Sequence, residues 1–174
     1  MKPFREFYKA DLFRYGGKVD SFTRKFLKAF RKAQNTKNKI IRSFWRLRFY
    51  LLKNKRNIGI SSNTKIGKGL YLGHLHGISI NGLAVIGDNC NIHKGVTIGQ
   101  ENRGKRKGTP IIGNSVWIGV NATIVGNVSV GDDVLIAPNS FVNCDIPSHS
   151  VVFGNPCQIH HKDNATEDYI INKV

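Results

Sequence analysis

The amino-acid sequence predicts a mainly β protein, in which a parallel β-helix follows a short, basic α-helical N-terminal segment and carries one extended loop. Three observations support this fold class. From residue 58 to about residue 162 the sequence repeats every six residues, a polar stretch at about residues 99–111 interrupts the repeat, and most basic residues precede it. We therefore divide the chain into residues 1–57, residues 58–162 and a C-terminal tail at residues 163–174.

The repeat is marked by aliphatic residues in three successive registers. They are Ile60, Ile66, Leu72 and Ile78, then Ile80, Ile86, Ile92 and Ile98, and then Ile112, Ile118, Ile124, Val130, Ile136 and Val142. Four residues after many of these comes a small or β-branched side chain. Each unit is predicted to form one short strand and three units one coil, with both kinds of side chain pointing inward. An α-helix has a period of about 3.6 residues and does not produce a strict period of six.

The repeat is broken at two places, and departures from a structural repeat are where function is expected. The segment LGHLHGIS at residues 72–79 carries two extra residues before the register resumes. This places His74 outward and His76 at a position where a small inward residue is expected. The second break separates Ile98 from Ile112 by 14 residues instead of two units of six. Its sequence, GQENRGKRKGTPI, is polar and glycine-rich and predicts an extended loop.

Residues 1–57 are strongly cationic. They hold 18 of the 27 Lys and Arg residues and only three acidic residues, so they carry +15 of the net charge of +16. Two helices are predicted, over residues 20–34 with Asp20 or Ser21 as the cap and over residues 38–53. Three interpretations remain open: helices packed on the β-helix by their aromatic side chains, a peripheral contact with an anionic membrane, or an unidentified acidic partner. Nucleic acid is a weaker candidate, because no known reading motif is present.

Other features of the sequence bear on compartment and cofactor. No run of about 18 uncharged apolar residues occurs, and the start, MKPFREFYKADLFRY, lacks the apolar core of a secretory signal. Cys90, Cys144 and Cys157 show no C-x-x-C spacing, which favours reduced thiols. We therefore predict a cytoplasmic protein, with peripheral attachment at the inner face of the membrane left open. The sequence has no glycine-rich phosphate motif and no spacing typical of metal ligands. We therefore expect no NAD cofactor, no nucleotide hydrolysis and no bound metal ion.

Residues 58–162 resemble the hexapeptide-repeat acyltransferases, and in detail their serine acetyltransferase branch. The segments that carry the resemblance are KIGKGLYLGHLHGISINGLAVIGDNCNIHKGVTIGQ, IIGNSVWIGVNATIVGNVSVGDDVLIAPNSFV and DIPSHSVVFGNPCQI. The resemblance implies a left-handed coil and acetyl-CoA as co-substrate. It also implies a homotrimer whose active sites lie between neighbouring subunits.

Acetyl transfer to an alcohol needs a general base that takes the hydroxyl proton, and imidazole suits this role near neutral pH. In serine acetyltransferases the base is the histidine of a D-H-A-T-G segment, and the resemblance places it at His74, our first choice. His93 and His76 are weaker candidates. An exposed corner residue is the alternative interpretation of His74. The candidates for the group that would orient His74 are a backbone carbonyl, Asp11 and Asp88.

The resemblance also indicates residues that would hold the co-substrate. Small residues along the C-terminal coils, where bulk would block the pantetheine arm, are Gly119, Ala122, Ala137 and Pro138. Candidates for contacts with the phosphates of CoA are Lys105, Arg106, Lys107 and Lys162. For both groups the alternative is structural: ordinary coil geometry for the small residues and solvated surface charge for the cations.

Three departures from the serine acetyltransferase pattern bear on the acceptor. The family's Asp before the catalytic histidine is Gly73 here, an earlier Asp is Gly59, and an Arg-His pair in the extended loop corresponds to Gly108-Thr109. Serine carries two charges that need complementary partners. We therefore predict an uncharged acceptor, a hydroxyl of a sugar or glycan in a capsule, exopolysaccharide or lipopolysaccharide pathway.

A second, shorter resemblance points the same way. Residues 8–17, YKADLFRYGG, are similar to the start of acetyltransferases found with surface-polysaccharide assembly. Two alternatives to the glycan acceptor stay open. One is a serine O-acetyltransferase that makes O-acetylserine for cysteine synthesis, and the other is a non-catalytic β-helix scaffold.

Overall fold

The computed structural model describes residues 4–174, which form three α-helices followed by a solenoid of short β-strands. The helices are α1 (Phe4–Phe13), α2 (Ser21–Asn35) and α3 (Lys39–Asn54). The strands are β1 (Gly59–Ile60), β2 (Lys65–Ile66), β3 (Tyr71–Gly73), β4 (Ser79–Ile80), β5 (Val85–Ile86), β6 (Asn91–His93), β7 (Thr97–Gly99), β8 (Ile111–Ile112), β9 (Trp117–Ile118), β10 (Thr123–Val125), β11 (Ser129–Val130), β12 (Val134–Ile136), β13 (Phe141–Val142), β14 (Ser150–Phe153) and β15 (Gln158–His161).

The strands stack into three parallel sheets that form the faces of a β-helix. Their orders are β1-β4-β7-β10-β13, β2-β5-β8-β11 and β3-β6-β9-β12-β14, and β15 adds to the third sheet in antiparallel orientation. Each strand therefore pairs with the strand one coil earlier, as Leu72, Ile92, Ile118 and Ile136 show by stacking in one register. These aliphatic side chains are buried and fill the interior. The prediction of a left-handed parallel β-helix is confirmed.

Several turns between strands contain a residue in the left-handed backbone region. Asn89, Asn121 and Asn139 have φ values of 58°, 58° and 59°. Asparagine enters this region more readily than most other residues with a side chain, which explains why it recurs at these turns. His74 occupies the same kind of position, with a φ of 52°.

The two predicted helices are present within one residue of the predicted bounds. Asp20 caps α2 by accepting hydrogen bonds from the N–H groups of Phe22 and Thr23 at 3.0 and 3.1 Å, and Asn38 caps α3 in the same way. Helix α1 has no counterpart in the prediction. Its buried residues are only Ala10 and Asp11, while Tyr8 and Leu12 are partly buried against the core. No helix within residues 4–174 is long and apolar enough to cross a membrane.

Two buried arginines attach the helices to the first coil. Arg31 of α2 contacts Asp11 of α1, with 2.7 Å between Nε and Oδ2, and also donates to the carbonyl oxygens of Ile66 and Gly67. Arg14, just after α1, donates to the carbonyl oxygen of Gly69 and to Asn91 of the second coil. We call residues 4–54 the helical cap, because these contacts hold them on the first coil of the β-helix.

The C-terminal tail, residues 163–174, returns along the β-helix toward the first coils. The N–H groups of Ala165 and Thr166 donate to the carboxylate of Asp133, and the N–H of Val174 donates to Asn89. Arg14 donates to the carbonyl oxygen of Ile171 in this tail. The tail therefore closes over the third sheet and meets the helical cap.

Candidate active site

His74 is exposed and follows β3 in the first coil. The two extra residues of this unit leave the coil without emptying its interior, because Leu75 and Ile78 are both buried there. The left-handed backbone at His74 turns the chain at this point. His74 thus lies outward, as predicted, and its imidazole is open to solvent.

His76 does not occupy the inward position that the sequence predicts for it. Its side chain is exposed, and Leu75 takes the interior position instead. The reason is physical: an aliphatic side chain gains more than an imidazole from burial in the coil interior. His76 is therefore a surface residue two positions from His74.

His93 comes close to His74 through the register of the coils. It is the partner of Gly73 in the next coil, and its ring lies where a side chain on Gly73 would be: an added Cβ would approach His93 Cε1 to 2.6 Å. The ring also packs against Trp117, with 4.7 Å between ring centroids. Burial, with His74 nearby, lowers the pKa of His93 below its ordinary value. We therefore expect a neutral imidazole at neutral pH beside the exposed one.

One ring nitrogen of His93 is not used in the hydrogen bonding of the described residues. Its Nε2 atom is buried and has no hydrogen-bond partner within residues 4–174. A buried polar atom without a partner is unfavourable and calls for an explanation such as a ligand or an ordered water. His93 therefore stays a candidate for contact with whatever binds next to His74.

The contact between Gly73 and His93 makes a testable prediction about packing. Gly73→Ala should destabilise the protein by about 1–3 kcal/mol, because the added methyl group displaces the His93 ring. In a His93→Ala background the same substitution should have almost no effect, and chemical denaturation of the four proteins measures this coupling. Gly82→Ala is the matched control, since a Cβ there meets nothing closer than 3.4 Å. Equal effects of Gly73→Ala in both backgrounds would contradict the contact.

Neither of the carboxylates suggested for orienting His74 does so. Asp11 is buried against Arg31 and the N–H of Leu70, and Asp88 accepts a hydrogen bond from the N–H of Lys68. Both carboxylates are occupied in holding the first coils together. Of the three candidates for orienting His74, a backbone carbonyl remains.

An aromatic cavity at His93 was not predicted. It has a volume of about 310 Å³, and its lining includes Tyr71, His93, Trp117 and Tyr169 together with Arg14 and Lys18. Trp117 and Tyr169 pack edge to face, with 5.1 Å between ring centroids. The large aromatic residues Tyr71 and Trp117 at outward positions of the repeat could have indicated part of this cavity. No pattern in the C-terminal tail indicated that Tyr169 would join them.

The residues predicted to hold the co-substrate differ in their accessibility. Gly119 is buried against the next coil, where a Cβ would approach the nitrogen of Pro138 to 2.6 Å. The methyl group of Ala122 is fully buried in the coil interior, so only its backbone has access to a ligand. Ala137 is half-buried and Pro138 is exposed. Their role stays a prediction.

The predicted cations lie on two exposed segments. Lys105, Arg106 and Lys107 occupy the loop between β7 and β8, and Arg106 pairs with Glu101 at 3.1 Å. The loop is pinned by backbone hydrogen bonds between Glu101 and Gly108 in both directions. Lys162 follows β15 and is exposed. Within residues 4–174 no group of three or more His, Cys, Asp or Glu side chains is arranged to hold a metal ion.

Comparison with known proteins identifies the family. The model for bacterial transferase hexapeptide (six repeats) matches residues 109–144. Serine acetyltransferase from Helicobacter pylori is 39% identical over 106 residues, which are 61% of this chain and 62% of the relative. The serine acetyltransferase of Synechococcus elongatus is 31% identical over 123 residues, 71% of this chain and 50% of the relative. The chain belongs to the hexapeptide-repeat transferases.

Solved structures agree with this assignment. The apoenzyme of soybean serine acetyltransferase superposes with a TM-score of 0.77 at 27% identity, over 90% of this chain and 69% of that one. Serine acetyltransferase from Neisseria gonorrhoeae superposes with a TM-score of 0.72 at 27% identity, over 91% and 66%. The chain spans only 50% and 29% of the length of the cyanobacterial relative and of serine acetyltransferase 4 from Arabidopsis thaliana. Among hexapeptide-repeat transferases it therefore shares the β-helix and part of the cap with these enzymes.

The prediction of a sugar or glycan hydroxyl as the acceptor is wrong, because the relatives and the structural neighbours are serine acetyltransferases. The structure explains why the argument from missing charges failed. Gly73 is packed under His93, a Cβ on Gly108 would lie 2.9 Å from Asn127, and one on Gly59 would lie 3.2 Å from Ser79. A side chain at each of these positions would meet a neighbouring residue, so a missing charge there does not identify the acceptor.

Proposed function

We propose that this hexapeptide-repeat transferase is an acetyl-CoA-dependent O-acetyltransferase that acetylates the hydroxyl of L-serine. The observation that carries the proposal is His74, an exposed imidazole beside the half-buried, neutral imidazole of His93, at a break of the repeat that keeps the coil interior filled. The names of the sequence relatives support serine as the acceptor. A structural neighbour at 26% identity, from soybean, is described in complex with serine.

In the proposed reaction His74 acts as the general base. It takes the hydroxyl proton of serine while the oxygen attacks the thioester carbonyl of acetyl-CoA. The carbon–sulfur bond then breaks, the acetyl group stays on the serine oxygen, and the CoA sulfur leaves as a thiol after taking up a proton. His93, whose buried Nε2 atom has no hydrogen-bond partner within residues 4–174, lies near this base.

The chain has cations for the negative charges of both substrates. Arg103, Lys105 and Lys107 are exposed on the extended loop and supply a partner for the serine carboxylate or the CoA phosphates. Ala137 and Pro138 offer a surface without bulk for the pantetheine arm. Lys162 is a further cation for the phosphates. The residues present are therefore compatible with acetyl-CoA as co-substrate.

We also propose a homotrimer. Leu83 and Ile111 are 75% and 54% exposed on the body of the β-helix. Leu83 lies in the turn before β5 and Ile111 in the neighbouring strand β8, and a contact between subunits would cover both side chains. A trimer would place the active sites between neighbouring subunits, which is the arrangement that the family resemblance implies.

Release of free thiol from acetyl-CoA tests the acceptor. We expect saturable turnover with L-serine and only background hydrolysis with L-alanine, which has the same two charges but no hydroxyl to acetylate. The product should be identified by mass spectrometry as O-acetylserine. A rate that is the same with serine, alanine and no acceptor would exclude serine as the substrate.

A further inference from the structure

Helix α3 presents an apolar stripe to solvent. Ile40, Phe44, Leu47 and Leu51 recur at the spacing of one helix face, and 82%, 59%, 59% and 55% of their respective surfaces are exposed. The opposite face packs inward: Phe49 is buried, with its ring 5.2 and 5.4 Å from those of Phe26 and Phe30 in α2. Amphipathic helices of globular proteins usually bury their apolar stripe. Here the inward face is already satisfied, and a second apolar face is left uncovered.

Positive charge borders this stripe. Arg48 lies one turn after Phe44, and Lys55 lies one turn after Leu51, so each is a neighbour of a stripe residue on the helix surface. Both are exposed, as are Lys39 and Arg46. Residues 21–57 contain 13 Lys and Arg residues and no acidic residue. Long basic side chains extend their charged ends to a headgroup region while their stems cover apolar surface.

We propose that α3 docks in the plane of an anionic lipid surface, with Ile40, Phe44, Leu47 and Leu51 inserted among the acyl chains and the bordering cations on the headgroups. Charge complementarity selects this occupant. An apolar stripe with basic flanks is the pattern of helices that lie at a membrane interface, and each exposed cation near an anionic leaflet strengthens the attachment.

The charge also disfavours the other occupants. A second copy of this chain across a two-fold axis would bring the same cationic flanks face to face, and like charges across an interface oppose association. Nucleic acid would use the cations but leave the four apolar side chains without a partner. The proposal is independent of the acceptor, since serine acetylation in solution needs no lipid.

Sedimentation with vesicles tests the proposal on the full chain. We expect binding to phosphatidylcholine vesicles that contain about 30 mol% phosphatidylglycerol, and weak or no binding to vesicles of phosphatidylcholine alone. Phe44→Ser with Leu47→Ser should lower partitioning by at least about tenfold. Arg48→Gln with Lys55→Gln should lower it on anionic vesicles, as should about 0.5 M NaCl, because salt screens exposed charges.

Controls separate docking from folding and from the alternatives. Phe153→Ser with Ile159→Ser changes two partly exposed apolar side chains at the far end of the β-helix and should leave partitioning unchanged. The melting temperature of the Phe44/Leu47 variant should match that of the unchanged chain, because both side chains are more than half exposed.

Three results would overturn the proposal. The first is no binding to anionic vesicles. The second is a larger light-scattering mass for the unchanged chain than for the Phe44/Leu47 variant, which would assign the stripe to a second copy. The third is binding to a DNA duplex that is tighter than to vesicles and insensitive to Phe44→Ser and Leu47→Ser. Serine turnover is measured without lipid. A chain that does not bind vesicles would therefore leave the proposed acetyltransferase activity unaffected, and thiol release tests that activity separately.

Discussion

His74→Asn should lower kcat for acetyl transfer by about 100-fold or more while KM changes little. A general base contributes about 10²–10⁴ to the rate, and the amide of asparagine does not take up a proton near neutral pH. Asparagine is the better replacement than alanine, because it tolerates the left-handed backbone that His74 adopts with a φ of 52°. Loss of activity then reports chemistry and not a strained turn. Single-turnover thiol release with acetyl-CoA measures the effect.

His76→Asn and His93→Asn complete this experiment. His76 is exposed two residues away and should retain most of the activity. His93→Asn removes the half-buried imidazole that packs on Trp117, so we expect a smaller loss than at His74 and a change in KM for the acceptor. Near-normal turnover in His74→Asn together with collapse in His93→Asn would transfer the role of base to His93.

The coil was predictable from the sequence because its determinants are local in the repeat. Leu72, Ile92 and Ile118 open their units with the same kind of side chain, and the structure stacks them in one buried row. The caps of α2 and α3 follow from single side chains two and three residues from the groups they bind, such as Asp20. Helix α1 escaped prediction because its attachment depends on the pairing of Asp11 with Arg31, 20 residues away.

The site was predictable only in part, because half of it depends on which residues the coils bring together. His74 stands out within its own unit, where two extra residues break the repeat. His93 becomes relevant only because β6 pairs with β3, which places its ring over Gly73. In the same way, Tyr169 joins Trp117 only after the tail has crossed the third sheet. The sequence shows that Gly73 lacks a charge but not that a neighbouring imidazole occupies the space.

A family position that loses its charged residue suggests a different substrate only if the space left by that residue is open to the substrate. At Gly73 the space is filled by His93, and at Gly108 a Cβ would meet Asn127. Cations on the extended loop, such as Lys105 and Lys107, are a separate source of charge. Acceptor charge is therefore better inferred from the exposed cations around a site than from the substitutions in a motif.

The largest effect on stability is expected at the junction of the helical cap and the first coil. Arg31 is fully buried and donates to both carboxylate oxygens of Asp11, at 2.7 and 3.0 Å. The same guanidinium donates to the carbonyl oxygens of Ile66 and Gly67, and Asp11 also accepts from the N–H of Leu70. One ion pair thus joins α1, α2 and the start of the β-helix.

Asp11→Ala should lower the free energy of unfolding by about 3–5 kcal/mol, because it leaves the Arg31 guanidinium buried without its counter-charge. Replacing both partners, as in Asp11→Leu with Arg31→Met, should recover much of the loss, since no charge is then left buried. The exposed pair Arg106–Glu101, 3.1 Å apart, is the matched control, and Glu101→Ala should change stability by only about 0–1 kcal/mol. Urea denaturation at one protein concentration compares all four proteins. If Asp11→Ala and Glu101→Ala proved equally mild, the buried pair would not be what holds the helical cap on the first coil.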